Sequence, residues 1–163
     1  MIGFKRILCP TDMSEESFKA FPYAFDLARV FDAEIYFINV VNINAAPTAE
    51  LGFETTFIEF SSAVRKDARR RLEGILTSRV PTDVKFRQIV VQGSAPEQIL
   101  RAVDDHEIDL VVIATHGLTG WRHMVFGSVA EKVVRQSKVP VLTVSAKLAA
   151  PETEKQFAEE VSY

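Results

Sequence analysis

The chain contains a single cysteine, Cys9. One thiol excludes an internal disulfide and a thiolate metal cage, and it fits a reducing cytoplasm. Its setting, Arg6-Ile7-Leu8-Cys9, reads as a strand, so the side chain is expected in the core. Long apolar runs are also missing. No window approaches about 18 uninterrupted apolar residues, so no membrane span is expected. The first residues lack the apolar stretch and small-residue cleavage site of an export signal. Neither sign of charge dominates: 19 Lys and Arg stand against 22 Asp and Glu, a formal net charge of −3. A broad nucleic-acid-binding face is therefore not expected. The phosphate-loop pattern GxxxxGK(S/T), the dinucleotide pattern GxGxxG and the zinc pattern HExxH do not occur. Nor does a GxSxG nucleophile elbow. His106, His116 and His123 show no metal-ligand spacing, so no metal site and no catalytic residue is assigned.

What is present is an alternation of strand-like and helix-like segments over 163 residues, a length suited to one domain. The alternation predicts an α/β fold with a parallel sheet. Strands are expected at 5–9, 35–41, 84–91, 109–114 and 139–144. The second is nearly continuous in apolar residues, as a strand covered on both faces should be. The third alternates with cations outward and the last carries Pro140 near its start; both traits belong to edge strands. The fourth looks the most central. In the first helix Phe18, Phe21, Phe25 and Ala28 recur at helical spacing, and Pro22 is expected to kink it. The second helix carries a buried stripe through Ser61, Ala68 and Leu72. It also carries a basic run, Arg65-Lys66 and Arg69-Arg70-Arg71, which reads as a solvated face. Ser94 and Glu97 form a capping-box pattern ahead of the third helix. The domain is expected to span 1–146, leaving a polar, acidic tail at 147–163.

The informative stretch runs from Ala114 to Ser128. It leaves a buried strand, contains Gly117, Gly120 and Gly127, and ends at a helix start. Ligands of open α/β sheets sit at the carboxyl ends of strands. Glycines let the backbone approach a ligand closely, and a helix start offers unpaired N–H groups with a partial positive charge. Together these make an anion site suited to phosphate. Plain turn glycines remain the alternative. Ser128 with Glu131 also matches a capping box, so it either starts the helix or faces a phosphate. Arg122 reads as a charge-assisted phosphate contact or as a solvated loop residue.

On this stretch the sequence resembles the universal stress protein family. ATP-binding members carry Gly-x2-Gly-x9-Gly-Ser/Thr here, and this chain reads Ala114-x2-Gly117-x9-Gly127-Ser128. The resemblance extends to Pro10-Thr11-Asp12, Asn39-Val40, Gly93-Ser94-Ala95-Pro96 and Val139-Pro140-Val141-Leu142. It implies a five-stranded, flavodoxin-like (Rossmann-like) sheet of order 3-2-1-4-5 with helices on both faces. It implies a homodimer built partly through the last strand. It also assigns roles: Asp12 and Val40, beside Pro10 and Thr11, at the adenine and ribose end. Ile113, Ala114 and Gly117 line the nucleotide, and Gly127, Ser128 and Val129 donate to its phosphates. Asp12 has a bland alternative, a local Asx turn. The departure from the family frame is Ala114 in place of glycine. A methyl group there either crowds the ribose or phosphate or, with φ negative and Cβ pointing away, costs little; if the position needs φ > 0 it costs on the order of 1 kcal/mol or more.

The resemblance implies a stress-response regulator that binds ATP, or ADP or AMP, with Mg²⁺ entering through the phosphates. Such a protein acts through its dimer or an unidentified protein partner, with at most slow ATP hydrolysis or autophosphorylation. The competing expectation is a nucleotide-free dimerisation or interaction module of the same fold, and Ala114 is the feature that favours it.

Overall fold

The computed structural model describes residues 3–42, 54–115 and 127–145, with side chains of the middle segment described from residue 60. In chain order the elements are β1 (Arg6–Pro10), α1 (Glu15–Phe18), α2 (Phe21–Phe31), β2 (Glu34–Val41) and α3 (Glu54–Arg79). They continue with β3 (Phe86–Gln92), α4 (Ala95–Asp105), β4 (Leu110–Ala114), α5 (Ser128–Gln136) and β5 (Val141–Val144). The five strands form one parallel sheet in the order β3-β2-β1-β4-β5. The expected fold class and strand order are therefore those observed.

Side-chain alternation along the inner strands divides the interior into two layers. Ile7, Cys9, Ile35, Phe37, Leu110 and Val112 join α2 and α3 on one face. Leu8, Tyr36, Ile38, Val111 and Ile113 join α4 and α5 on the other. Nearly continuous apolar residues along these strands are the sequence signature of burial on both sides. Phe37 is wholly buried, and its ring centroid lies 4.7 Å from that of Phe21 and 6.1 Å from that of Phe86. Cys9 is wholly buried, and burial pushes its thiol pKa well up, so the thiol is unreactive in the folded chain.

Both expected edge strands lie at the edges, while the central position belongs to β1 rather than to β4. Pro22 does more than kink the first helix. The chain forms a separate short helix α1, and α2 then starts anew with the proline in its first turn. A proline at that point forgoes only a donor that would have lacked a partner anyway. The Ser94–Glu97 box is not formed: Ser94 is the N-cap of α4 by position, but its hydroxyl makes no capping bond.

Candidate functional site

The helices after β1 and β2 pack on one face of the sheet, and those after β3 and β4 pack on the other. Neighbours β1 and β4 thus send their following segments to opposite sides, and a crevice opens at their carboxyl ends. A cavity of about 140 Å³ occupies it. Nine of the eleven residues expected at the site line this cavity: Pro10, Thr11 and Asp12 after β1, Val40 from β2, Ile113 and Ala114 from β4, and Gly127, Ser128 and Val129 at the start of α5. The other two, Gly117 and Arg122, lie outside the described residues.

The wall after β1 is held by a dense local network. The Thr11 amide donates to the Ile38 carbonyl at 2.9 Å, continuing the strand pairing by one residue. Thr11 Oγ1 accepts from the Met13 amide at 3.0 Å and lies 2.7 Å from Ser17 Oγ. Asp12 Oδ1 accepts from the Ser14 amide at 3.1 Å and from Ser14 Oγ at 2.5 Å, which is the local Asx arrangement. Asp12 nevertheless remains exposed at the cavity mouth. The turn also places Met13 at φ 64°, a left-handed conformation that a non-glycine residue adopts at some cost.

Asn39 fixes this wall from below. Its side chain is buried, and Nδ2 donates to the Thr11 carbonyl at 2.9 Å. In Asn39→Leu that carbonyl loses its donor in a buried setting, which costs about 1–3 kcal/mol. Urea denaturation is expected to show this loss with an unchanged m value. A variant as stable as the parent would mean that the bond holds nothing in place.

Ala114 does not take the left-handed conformation. It is the last residue of β4, in register with Val144, and the described non-glycine residues with positive φ are Met13, Asp32 and Glu107 only. Its methyl group belongs to the buried core on the α2–α3 side. The position carries no left-handed cost, so an alanine fits where the family frame has glycine.

The opposite wall is the start of α5. The N-cap is Gly127, not Ser128; Ser128 is the first helical residue, so the Ser128–Glu131 capping box is not formed. The reason is a backbone bond: the Gly127 amide donates to the Thr115 carbonyl at 2.6 Å, and the Gly127 carbonyl accepts from the Glu131 amide at 3.0 Å. The Gly127 amide, expected to face a phosphate, is thus already engaged. The amides of Ser128, Val129 and Ala130 have no acceptor within the helix, and no side chain caps them among the described residues. They face the cleft with the positive end of the helix dipole behind them.

Ser17, Ile38, Ala95, Ile99, Thr115 and Ala130 also line the cavity and were not anticipated. Ile99 and Ile38 carried a core signal that concealed their second role, and Ser17 carried no signal at all. Among the described lining residues Asp12 is the sole charged side chain. The floor is otherwise aliphatic, and the anion-attracting groups are backbone amides. Among the described residues no group of three potential metal ligands occurs, and no helix is long and apolar enough to cross a membrane.

Residues 3–145 match the model of the universal stress protein family.

The chain belongs to the universal stress protein family. The universal stress protein MJ0531 of Methanocaldococcus jannaschii is 31% identical over 141 residues, covering 86% of this chain and 82% of the relative. The solved structure of MJ0577, from the same organism, superposes with a TM-score of 0.77 at 26% identity, covering 91% of this chain and all of that one. A universal stress protein solved in complex with cAMP shares the fold at a TM-score of 0.58 and 21% identity, covering 90% of this chain and all of that one.

Proposed function

We propose that this universal stress protein binds an adenine nucleotide in the β1–β4 crevice and acts as a stress-response regulator through that binding. The observation that carries the reading is the meeting of two unlike walls. One is a carboxylate turn, Asp12 with Val40 beside it, suited to the ribose hydroxyls and the base edge. The other is the start of α5, where the amides of Ser128 and Val129 lack acceptors among the described residues and suit phosphate oxygens. Ile38, Val40, Ile99 and Ile113 give the aliphatic floor on which a flat base packs. The family member in complex with cAMP supports an adenine nucleotide as the ligand class.

Gly117 and Arg122 complete the proposed site, Gly117 along the nucleotide and Arg122 at the phosphates. Mg²⁺ would reach the site on the phosphates, with Asp12 the one described carboxylate within the cleft. No described side chain in the cleft is a base placed at the phosphate end, so the reading is of a binder that responds to nucleotide. Binding would bias the dimer or the choice of partner by a population shift. The dimer is assigned to β5. This strand is an edge, and Leu142 on it and Val134 on α5 are exposed apolar side chains. The nucleotide-free alternative rests on Ala114, and the lack of a left-handed backbone at that position favours the binding reading over it.

Calorimetric titration of the full chain with ATP, ADP and AMP is expected to give saturable heat with at least one of them. Asp12→Ala is expected to weaken that binding by about tenfold, or 1.4 kcal/mol, and to lower stability by less. Absence of heat with all of them at millimolar concentration rejects the proposal.

A further inference from the structure

We propose that the open edge of β3 binds an extended acidic segment of a partner protein by adding it to the sheet as a further strand. Among the described strands β3 is terminal in the sheet and pairs with β2 alone. Its backbone direction follows from the bonds at its two ends. The Lys85 carbonyl accepts from Ile35, and the Gly93 amide donates to Val41, so odd-numbered residues face β2. Successive residues of a strand point their N–H and C=O groups to opposite sides. Phe86, Gln88, Val90 and Gln92 therefore direct both backbone groups outward, away from the sheet. Such a row is a template for strand addition.

The edge lies in a groove. Ile89 to Gln92 form part of its floor, Arg65 of α3 stands on one side, and Arg101 and His106 of α4 stand on the other. The α3 wall carries an excess of positive charge: Arg65, Lys66, Arg69, Arg70 and Arg71 stand exposed against Asp67 and Glu73. Arg29, Arg79, Lys85, Arg87 and Lys138 each form an ion pair, but Arg65, Lys66, Arg69 and Arg70 form none with any described side chain. Arg65 and Arg69 stand one helical turn apart, as do Lys66 and Arg70, so like charges are stacked along the exposed flank of α3. Stacked like charges destabilise a helix unless an anion relieves them. Opposing charge in the groove is limited to Asp105, which is engaged by Arg101 at 3.2 Å. His106 is occupied beneath by the Tyr36 ring, with centroids 5.4 Å apart. An edge that guards itself against pairing needs only scattered cations. An excess of α3 cations without an ion pair to any described side chain, with Arg65 in the groove itself beside outward backbone groups, matches a strand whose side chains carry carboxylates at alternate positions.

The test uses the full chain and a fluorescein-labelled peptide in which glutamate alternates with valine. Anisotropy is expected to show saturable binding that falls by about tenfold or more in the double variant Arg65→Glu, Arg69→Glu. Hydrogen exchange is expected to slow at the amides of Phe86, Gln88, Val90 and Gln92 on binding, and to stay unchanged at Arg87, Ile89 and Val91. A peptide N-methylated at alternate positions, with the same charge, should not bind. Equal binding of the N-methylated peptide, of a single-stranded oligonucleotide or of anionic vesicles would reduce the site to a general polyanion surface and overturn the proposal. So would slow exchange at the outward amides in the free protein, because the edge would then be covered by the chain itself or by a second copy.

Discussion

Gly127→Asp is expected to make the domain more stable and to abolish its nucleotide binding. The two effects have opposite signs for one reason. Gly127 is the N-cap of α5, at φ −69° and ψ 151°, a conformation open to any L residue. An aspartate there keeps the amide bond to Thr115 and the carbonyl bond from Glu131. Its carboxylate then reaches the Val129 or Ala130 amide, as N-cap aspartates do, and its charge sits favourably on the helix dipole. Those effects together stabilise by about 0.5–1 kcal/mol. The same carboxylate occupies the donors assigned to phosphate and repels any anion that approaches. Affinity should fall at least a hundredfold, about 2.8 kcal/mol. Thermal unfolding and calorimetric titration of the one variant read both arms. A more stable variant with parental affinity would mean that the phosphates are held elsewhere; a less stable one would mean that Gly127 is not the cap.

Phe37→Ala should lose about 3–5 kcal/mol of folding stability. Phe37 is wholly buried on β2, between the edge strand and the central strand, and its ring lies among Phe21, Phe25 and Phe86. Its ring neighbours belong to two separate elements, α2 and β3, so they cannot close together over the void without moving a helix against the sheet. A domain with an ordinary stability of about 5–15 kcal/mol keeps only part of it after such a loss. Urea denaturation gives the number. A loss under about 1 kcal/mol would show that the aromatic cluster is not the packed layer described.

Much of the fold was legible because its strongest signals are one-dimensional. Strands buried on both faces show nearly continuous apolar runs, as at Ile35 to Val41 with Asn39 the one polar member. Edge strands tolerate Pro140 and outward cations such as Lys85 and Arg87. The cleft was legible for the same reason, since nine lining residues fall at strand ends or at a glycine next to a helix. What escaped was decided by bonds between distant residues. Gly127 and Ser128 are both respectable caps, and the choice is made by the Thr115 carbonyl, twelve positions earlier in the chain. The conformation of Ala114 is set by its pairing with Val144 in another strand. Ser17 enters the cleft wall through Thr11 Oγ1, a bond that no local pattern announces. Pro22 was misjudged because its tolerance depends on whether a new helix can begin there, and Ala20 provides that start.

The bond between Thr115 and Gly127 has a consequence for how this domain can vary. It joins the end of β4 directly to the start of α5, so the spacing of these two elements rests on a main-chain bond. The gap between the carboxylate turn and the amide row is therefore set by the main chain, and side-chain substitutions on either flank leave it in place.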